Sequence, residues 1–238
     1  TSGDSVFQIA AHEDVVNLKE LYRVCTIARN KLDKYRIGRV IARPFTGNEG
    51  SFTRTYDRKD FGMTPPDGLI LQLLIENGYT AFGIGKIEDL FGTNHLTQYK
   101  HTKGDADGMQ ILIKSLRDEK FDFTFVNLVD CDMLYGHREN AEGYANGLEL
   151  IDEYLGKLLN EIKKDDLLLI TGDHGNDPTD GDTDHTREYV PILAYNKKSV
   201  SKNLNTRTSF TDVAKTIADF FNLKNNIDGY SFLNELIE

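Results

Sequence analysis

Three short stretches concentrate the side chains able to do chemistry. Asp130-Cys131-Asp132-Met133-Leu134-Tyr135-Gly136-His137-Arg138 follows the apolar run Phe121–Val129, and Gly172-Asp173-His174-Gly175-Asn176-Asp177 follows Leu167–Thr171. Asp182-Thr183-Asp184-His185-Thr186-Arg187-Glu188 then precedes a further strand-like run from Tyr189. Three of the six histidines therefore sit among carboxylates. Mixed carboxylate and imidazole donors suit a hard or borderline divalent cation, manganese and zinc alike. One Asp-His pair alone is ordinarily a helix cap or a surface loop. Three such clusters beside apolar runs point instead to a metal centre. His12, His95 and His101 have no such company along the chain and read as surface or capping groups, and Cys25 and Cys131 read as small core fillers.

Positioning these loops requires a scaffold, and the hydrophobic pattern supplies one. Leu18, Leu21, Tyr22, Cys25, Ile27, Ala28 and Leu32 recur at mostly three- and four-residue intervals, predicting an amphipathic helix. Arg39–Phe45 predicts a short strand stopped by Pro44, with Arg43 at its exit. The polar stretch to Met63 and the Thr64-Pro65-Pro66-Asp67-Gly68 run predict a linker, dividing a region 1–63 from a region 64–238. Beyond it, helices over 69–77, 107–120, 142–162 and 210–221 alternate with strands over 79–84, 121–129, 166–171 and 189–195. Alternation of this kind predicts an α/β fold, a mostly parallel sheet with helices on both faces. Ligands of such sheets bind outside the carboxyl ends of the strands, where the first two clusters fall.

Composition narrows the function classes. The chain has 238 residues with 28 basic and 38 acidic side chains, a net charge of -10 that repels nucleic acid backbones. Two cysteines without CxxC spacing exclude a disulfide framework and suit a reducing cytoplasm. No apolar run reaches the roughly 18 residues that a membrane span requires. Thr1-Ser2-Gly3-Asp4 carries neither an initiator methionine nor a secretory leader, so the natural N-terminus is expected upstream.

The strings Ser5–Glu13, Gly38–Phe45, Phe52–Thr55, Asn127–Asp130, Tyr135–Arg138, Asp173–Pro178 and Thr183–Pro191 resemble phosphopentomutase, a family of the alkaline phosphatase superfamily of metalloenzymes. The resemblance runs the length of the chain, with Cys131 standing where a bulky residue is expected. It implies an alkaline phosphatase-like core, here 64–238, carrying two manganese ions, and part of a smaller α/β cap domain, here 1–63, for substrate recognition. It implies interconversion of ribose or deoxyribose 1-phosphate and 5-phosphate through a phosphothreonine, primed by a sugar bisphosphate such as glucose 1,6-bisphosphate.

Carried over by position, Asp132, His137 and His185 match the ligands of one metal, and Asp173 and His174 match two ligands of the other. Ser2 and Asp4 match groups near the ribose, and Arg43, Arg54 and Lys86 match groups near its phosphate. No threonine here stands in the nucleophile's motif, so the resemblance implies a chain lacking the first part of the core. Two alternatives stay open: a related two-metal phosphatase or phosphoglycerate mutase, and a metal-binding fragment without turnover.

Overall fold

The computed structural model describes residues 5–63, 65–118 and 120–236. Ser2 and Asp4 lie outside them. The chain divides into two compact units, Thr1–Pro65 and Pro66–Glu238.

In the first unit, strand β1 (Val6–His12) leads into helix α1 (Leu18–Leu32), which returns to strand β2 (Arg39–Thr46) lying parallel to β1. Asn17 caps α1 by accepting the Glu20 N–H at 3.0 Å. The apolar stripe of α1 buries Leu21 and Cys25 against Val40 and Ala42 of β2, so Cys25 is a core filler as its sequence context suggested. The short strands β3 (Thr53–Arg54) and β4 (Lys59–Gly62) both pair antiparallel with β2. Pro44 does not stop β2, which continues to Thr46. The Pro44 carbonyl accepts the Thr55 N–H at 3.1 Å.

The second unit runs α2 (Ile70–Glu76), β5 (Ala81–Ile84), α3 (Ile87–Phe91), β6 (Gln98–Lys100), α4 (Asp105–Arg117), β7 (Phe123–Val126), α5 (Ala141–Glu161), β8 (Leu168–Thr171), β9 (Ile192–Tyr195), α6 (Thr211–Phe220) and α7 (Leu233–Leu236). Strands β6, β5 and β7 form a parallel sheet in that order. The central β5 is buried at all four positions, as expected for a parallel strand covered on both faces. The core beneath it joins Leu71 and Ile87, and Met109 and Ile113 of α4 meet Leu158 of α5.

Strands β6, β5 and β7 are thus parallel, as read from the alternation, whereas β8 and β9 form a separate antiparallel pair. The alternation lapses there, β8 and β9 being joined by a loop without the crossover helix that a parallel pair needs. The helix α3 and strand β6 fall in a stretch whose periodicity is too short to read. Among the described residues, no helix is long and apolar enough to cross a membrane.

Candidate functional site

Strands β5 and β7 end at one edge, with Ile84 opposite Val126. Immediately beyond, Gly85 turns with φ +84°, and a Cβ there would collide with the Asn127 carbonyl. Only glycine combines that backbone with so close an approach. The chain leaving β7 is then clasped by the first turn of α4. Asp105 is 3% exposed, its Oδ1 accepts the N–H groups of Val129 at 2.7 Å and Asp130 at 3.1 Å, and its own N–H donates to Asp130 Oδ2 at 2.8 Å.

Past this clasp, Cys131–Tyr135 winds as a single wide π-type turn, a conformation enriched at functional sites. The ring of Tyr135 lies on the glycine face of α5: a Cβ at Gly143 or Gly147 would stand 2.5 or 3.0 Å from ring atoms. The turn that presents Asp132 is therefore held by α4 on one side and by α5 on the other.

Burial, reinforced by the charge of Asp130, pushes the Asp105 carboxyl above the usual range, and its Oδ2 has no hydrogen-bond partner. The folded state consequently keeps this proton to higher pH than the unfolded chain does. Stability then falls as pH rises from the ordinary aspartate value through the raised folded one, and stays reduced above it. Asp105→Asn keeps the acceptor for Val129 and Asp130 and turns the unpartnered oxygen into a donor. The variant is expected to lack that pH-linked loss. Urea denaturation in mildly acid and neutral buffers checks this; a variant whose stability falls between them as much as the parent's would refute it.

The three clusters of the sequence meet at this edge. Asp132 Oδ1 lies 3.4 Å from His137 Nε2 and 3.4 Å from His185 Nε2. The His185 ring stacks on His174 with centroids 3.8 Å apart, and donor atoms of Asp132, His174 and His185 all lie within 4.8 Å of one another. Asp173 Oδ2 stands 3.5 Å from His174 Nε2.

His174 lies beside Asp132 and His185 as well as beside Asp173. The cause is local: Thr186 donates its backbone N–H to the Gly175 carbonyl at 2.9 Å, zipping the His185 loop onto the His174 loop.

Two of the imidazoles are oriented by backbone carbonyls. His137 Nδ1 donates to the Thr183 carbonyl at 2.5 Å, and His174 Nδ1 donates to the Gly175 carbonyl at 3.2 Å. Each Nε2 is left facing the carboxylates, the orientation that a cation between them would use. This donor set, with oxygen and nitrogen atoms converging from three loops, fits a divalent cation. Burial pushes the neighbouring Cys131 thiol up to about 11, with the charges of Asp105 and Asp130 adding to it, which makes Cys131 a poor nucleophile at neutral pH.

The first unit carries a separate feature. Gln8 and Ala10 of β1, Arg43 and Phe45 of β2, and Phe52 and Arg54 line a pocket of about 310 Å³. Arg43 Nε is buried with no hydrogen-bond partner. Burial, together with the charges of Arg58 and Arg54, holds the Arg43 guanidinium below its ordinary pKa. Crowded positive charge with an unused donor is the electrostatic signature of an anion site. Lys86 stands in the second unit at the exit of β5, its Nζ 2.9 Å from Met133 Sδ. Arg58 is bound to Asp60 through two hydrogen bonds of 2.8 Å.

Two features escaped the sequence reading. Asn176 donates to Asp132 Oδ1 at 2.6 Å, although only its place beside His174 could have singled it out. His101 is not without acidic company: it lies 3.7 Å from Glu88 and 3.9 Å from Asp89, which the sheet brings across from α3. Eleven or more intervening residues hide such a grouping from any local pattern.

Comparison with known proteins follows the same lines. The phosphopentomutases of Clostridium novyi (strain NT) and Acetivibrio thermocellus are 49% and 48% identical over the whole of this chain. The chain spans 62% of the length of each. Among solved structures, Leishmania mexicana phosphoglycerate mutase matches 68% of this chain and 38% of its own, at a TM-score of 0.55 and 18% identity. The PH0037 protein from Pyrococcus horikoshii matches 88% of this chain and 66% of its own, at a TM-score of 0.52 and 15% identity. At these identities the two share the fold. The model of the metalloenzyme superfamily matches residues 84–225, a span that opens at the end of β5 and takes in all five clustered aspartates and histidines, and the chain belongs to that superfamily.

Proposed function

We propose that this chain carries the metal centre and the sugar-phosphate pocket of a phosphopentomutase, which moves a phosphoryl group between the C1 and C5 oxygens of ribose or deoxyribose. The observation that carries the reading is the convergence of Asp132, His174 and His185, with His137 and Asp173 adjoining, at the edge where β5 and β7 end. Its support from comparison is near-half identity to curated phosphopentomutases across both units.

In this reading Asp132, His137, Asp173, His174 and His185 hold two manganese ions, zinc being the alternative by affinity. The ions supply charge neutralisation for the phosphoryl group and lower the pKa of the attacking hydroxyl. The protein's share is to present Nε2 atoms and carboxylates already oriented. In the first unit Arg43 and Arg54 are assigned to phosphate binding by bidentate hydrogen bonding and Ser2 and Asp4 to the ribose; in the second unit Lys86 is assigned as a phosphate-binding cation. The threonine that carries the phosphoryl group is placed in sequence outside these residues, and glucose 1,6-bisphosphate is the proposed primer. We propose the region 1–63 as the cap and 64–238 as part of the core, acting on a small molecule in the cytoplasm, with both cysteines free.

The test is turnover by the protein at its natural length, loaded with manganese and primed with glucose 1,6-bisphosphate. Interconversion of ribose 1-phosphate and ribose 5-phosphate is expected. Turnover of 3-phosphoglycerate without any of pentose phosphates would replace this reading with a phosphoglycerate mutase. Within it, Arg43→Ala is expected to raise KM for ribose 5-phosphate about tenfold or more with metal content unchanged. Loss of manganese at constant KM would move Arg43 into the metal shell.

A further inference from the structure

We propose that Asn176 is the positioning residue of Asp132, and that position 136 is a glycine because the Asn176 side chain occupies the space a Cβ would need. The inference rests on the metal-centre reading above and adds to it a residue that acts through a ligand.

Two observations carry it. Asn176 Nδ2 donates to Asp132 Oδ1 at 2.6 Å, the same oxygen that His137 and His185 approach. Its Oδ1 is buried and makes no hydrogen bond, so the amide is oriented from its nitrogen end. The second observation is the seat. Gly136 has φ -61° and ψ -63°, a conformation that any residue adopts, so its backbone gives no reason for glycine. Space does: a Cβ at 136 would fall on Cγ, Oδ1 and Nδ2 of Asn176 at once.

The amide thus lies flat on Gly136, in the turn just after the one bearing Asp132. Its backbone is fixed by the bridge between Gly175 and Thr186, and the next N–H, of Asp177, donates to Thr186 Oγ1 at 3.1 Å. With one lone pair of Oδ1 taken by Nδ2, the Asp132 carboxylate cannot swing, and its remaining lone pairs stay directed toward the histidines. Hydrogen-bonding partners of ligating carboxylates typically set metal affinity by about 10- to 100-fold.

A double-mutant cycle on the protein at its natural length tests this, with free Mn²⁺ counted by its electron paramagnetic resonance signal during titration and melting of the metal-free protein recorded alongside. Asn176→Ala is expected to weaken manganese binding about 10- to 100-fold at an unchanged melting temperature. Gly136→Ala is expected to do the same by displacing the amide. In the Asn176→Ala background, Gly136→Ala should cost nothing further, because the methyl fills the space the amide has left. Manganese affinity within threefold of the parent in Asn176→Ala would overturn the proposal, as would additive effects in the double variant. Loss of fold together with metal in both single variants would show general packing instead and overturn it equally. A parent protein that takes up no manganese would withdraw the metal centre itself, and the positioning role with it.

Discussion

On the proposed phosphopentomutase reading, His185→Ala in the protein at its natural length is expected to lower pentose phosphate turnover by about three orders of magnitude while leaving the fold in place. The residue sits in a loop, its side chain one-third exposed, so truncation removes little core packing. What it does remove is one of the three donors that lie within 4.8 Å of one another, along with the ring stacked on His174. A cation retained by fewer ligands is both scarcer and less well placed against a phosphoryl oxygen. Steady-state kinetics at saturating manganese, with circular dichroism as the control for folding, check this. Turnover near that of the parent would remove His185 from the centre.

Asp212→Ala is expected to have the opposite profile, a loss of about 3–5 kcal/mol of stability without a direct effect on metal affinity. Asp212 is 2% exposed at the start of α6. Its Oδ2 accepts Arg207 Nε at 2.9 Å and its Oδ1 accepts the Tyr230 N–H at 2.8 Å. Arg207 in turn reaches Glu235 at 3.1 Å and lies 5.4 Å over the Phe232 ring, while Thr216 donates to the Asp212 carbonyl and accepts the Phe232 N–H. Truncation leaves a partly buried guanidinium with only Glu235 and the Tyr230 carbonyl as partners and unties the C-terminal segment from α6. Chemical denaturation measures the loss, and manganese titration of the folded variant should match the parent. A loss under 1 kcal/mol would mean that Glu235 and the Tyr230 carbonyl satisfy Arg207.

How much of this was legible in the sequence depends on the range of the interaction concerned. The helices α1, α2, α4, α5 and α6 announce themselves because an amphipathic stripe is a local pattern, as Leu21 and Cys25 illustrate. Strand β1 did not: Val6–His12 alternates weakly, and it was quoted for resemblance rather than as an element. Strand β7 is shorter than its apolar run because Asn127–Asp130 leave the sheet to meet the Asp105 clasp, a contact more than twenty residues away in sequence.

The site follows the same rule. Asp132, His137, Asp173, His174 and His185 were visible as Asp-His clusters at strand ends, and their meeting follows from the strands ending on one side. The pairing of His174 with Asp132 and His185 was not visible, since it depends on a bridge between two loops. Nor was Asn176, whose importance lies in what it touches across 44 residues.

The central claim is that these loops form a metal centre, and anomalous diffraction at the manganese edge from crystals soaked in Mn²⁺ tests it most directly. The account predicts peaks at about 2.0–2.3 Å from carboxylate oxygens and imidazole Nε2 atoms of Asp132, His137, Asp173, His174 and His185. Peaks confined to the Glu88, Asp89 and His101 group, or no peak near Asp132, would contradict it.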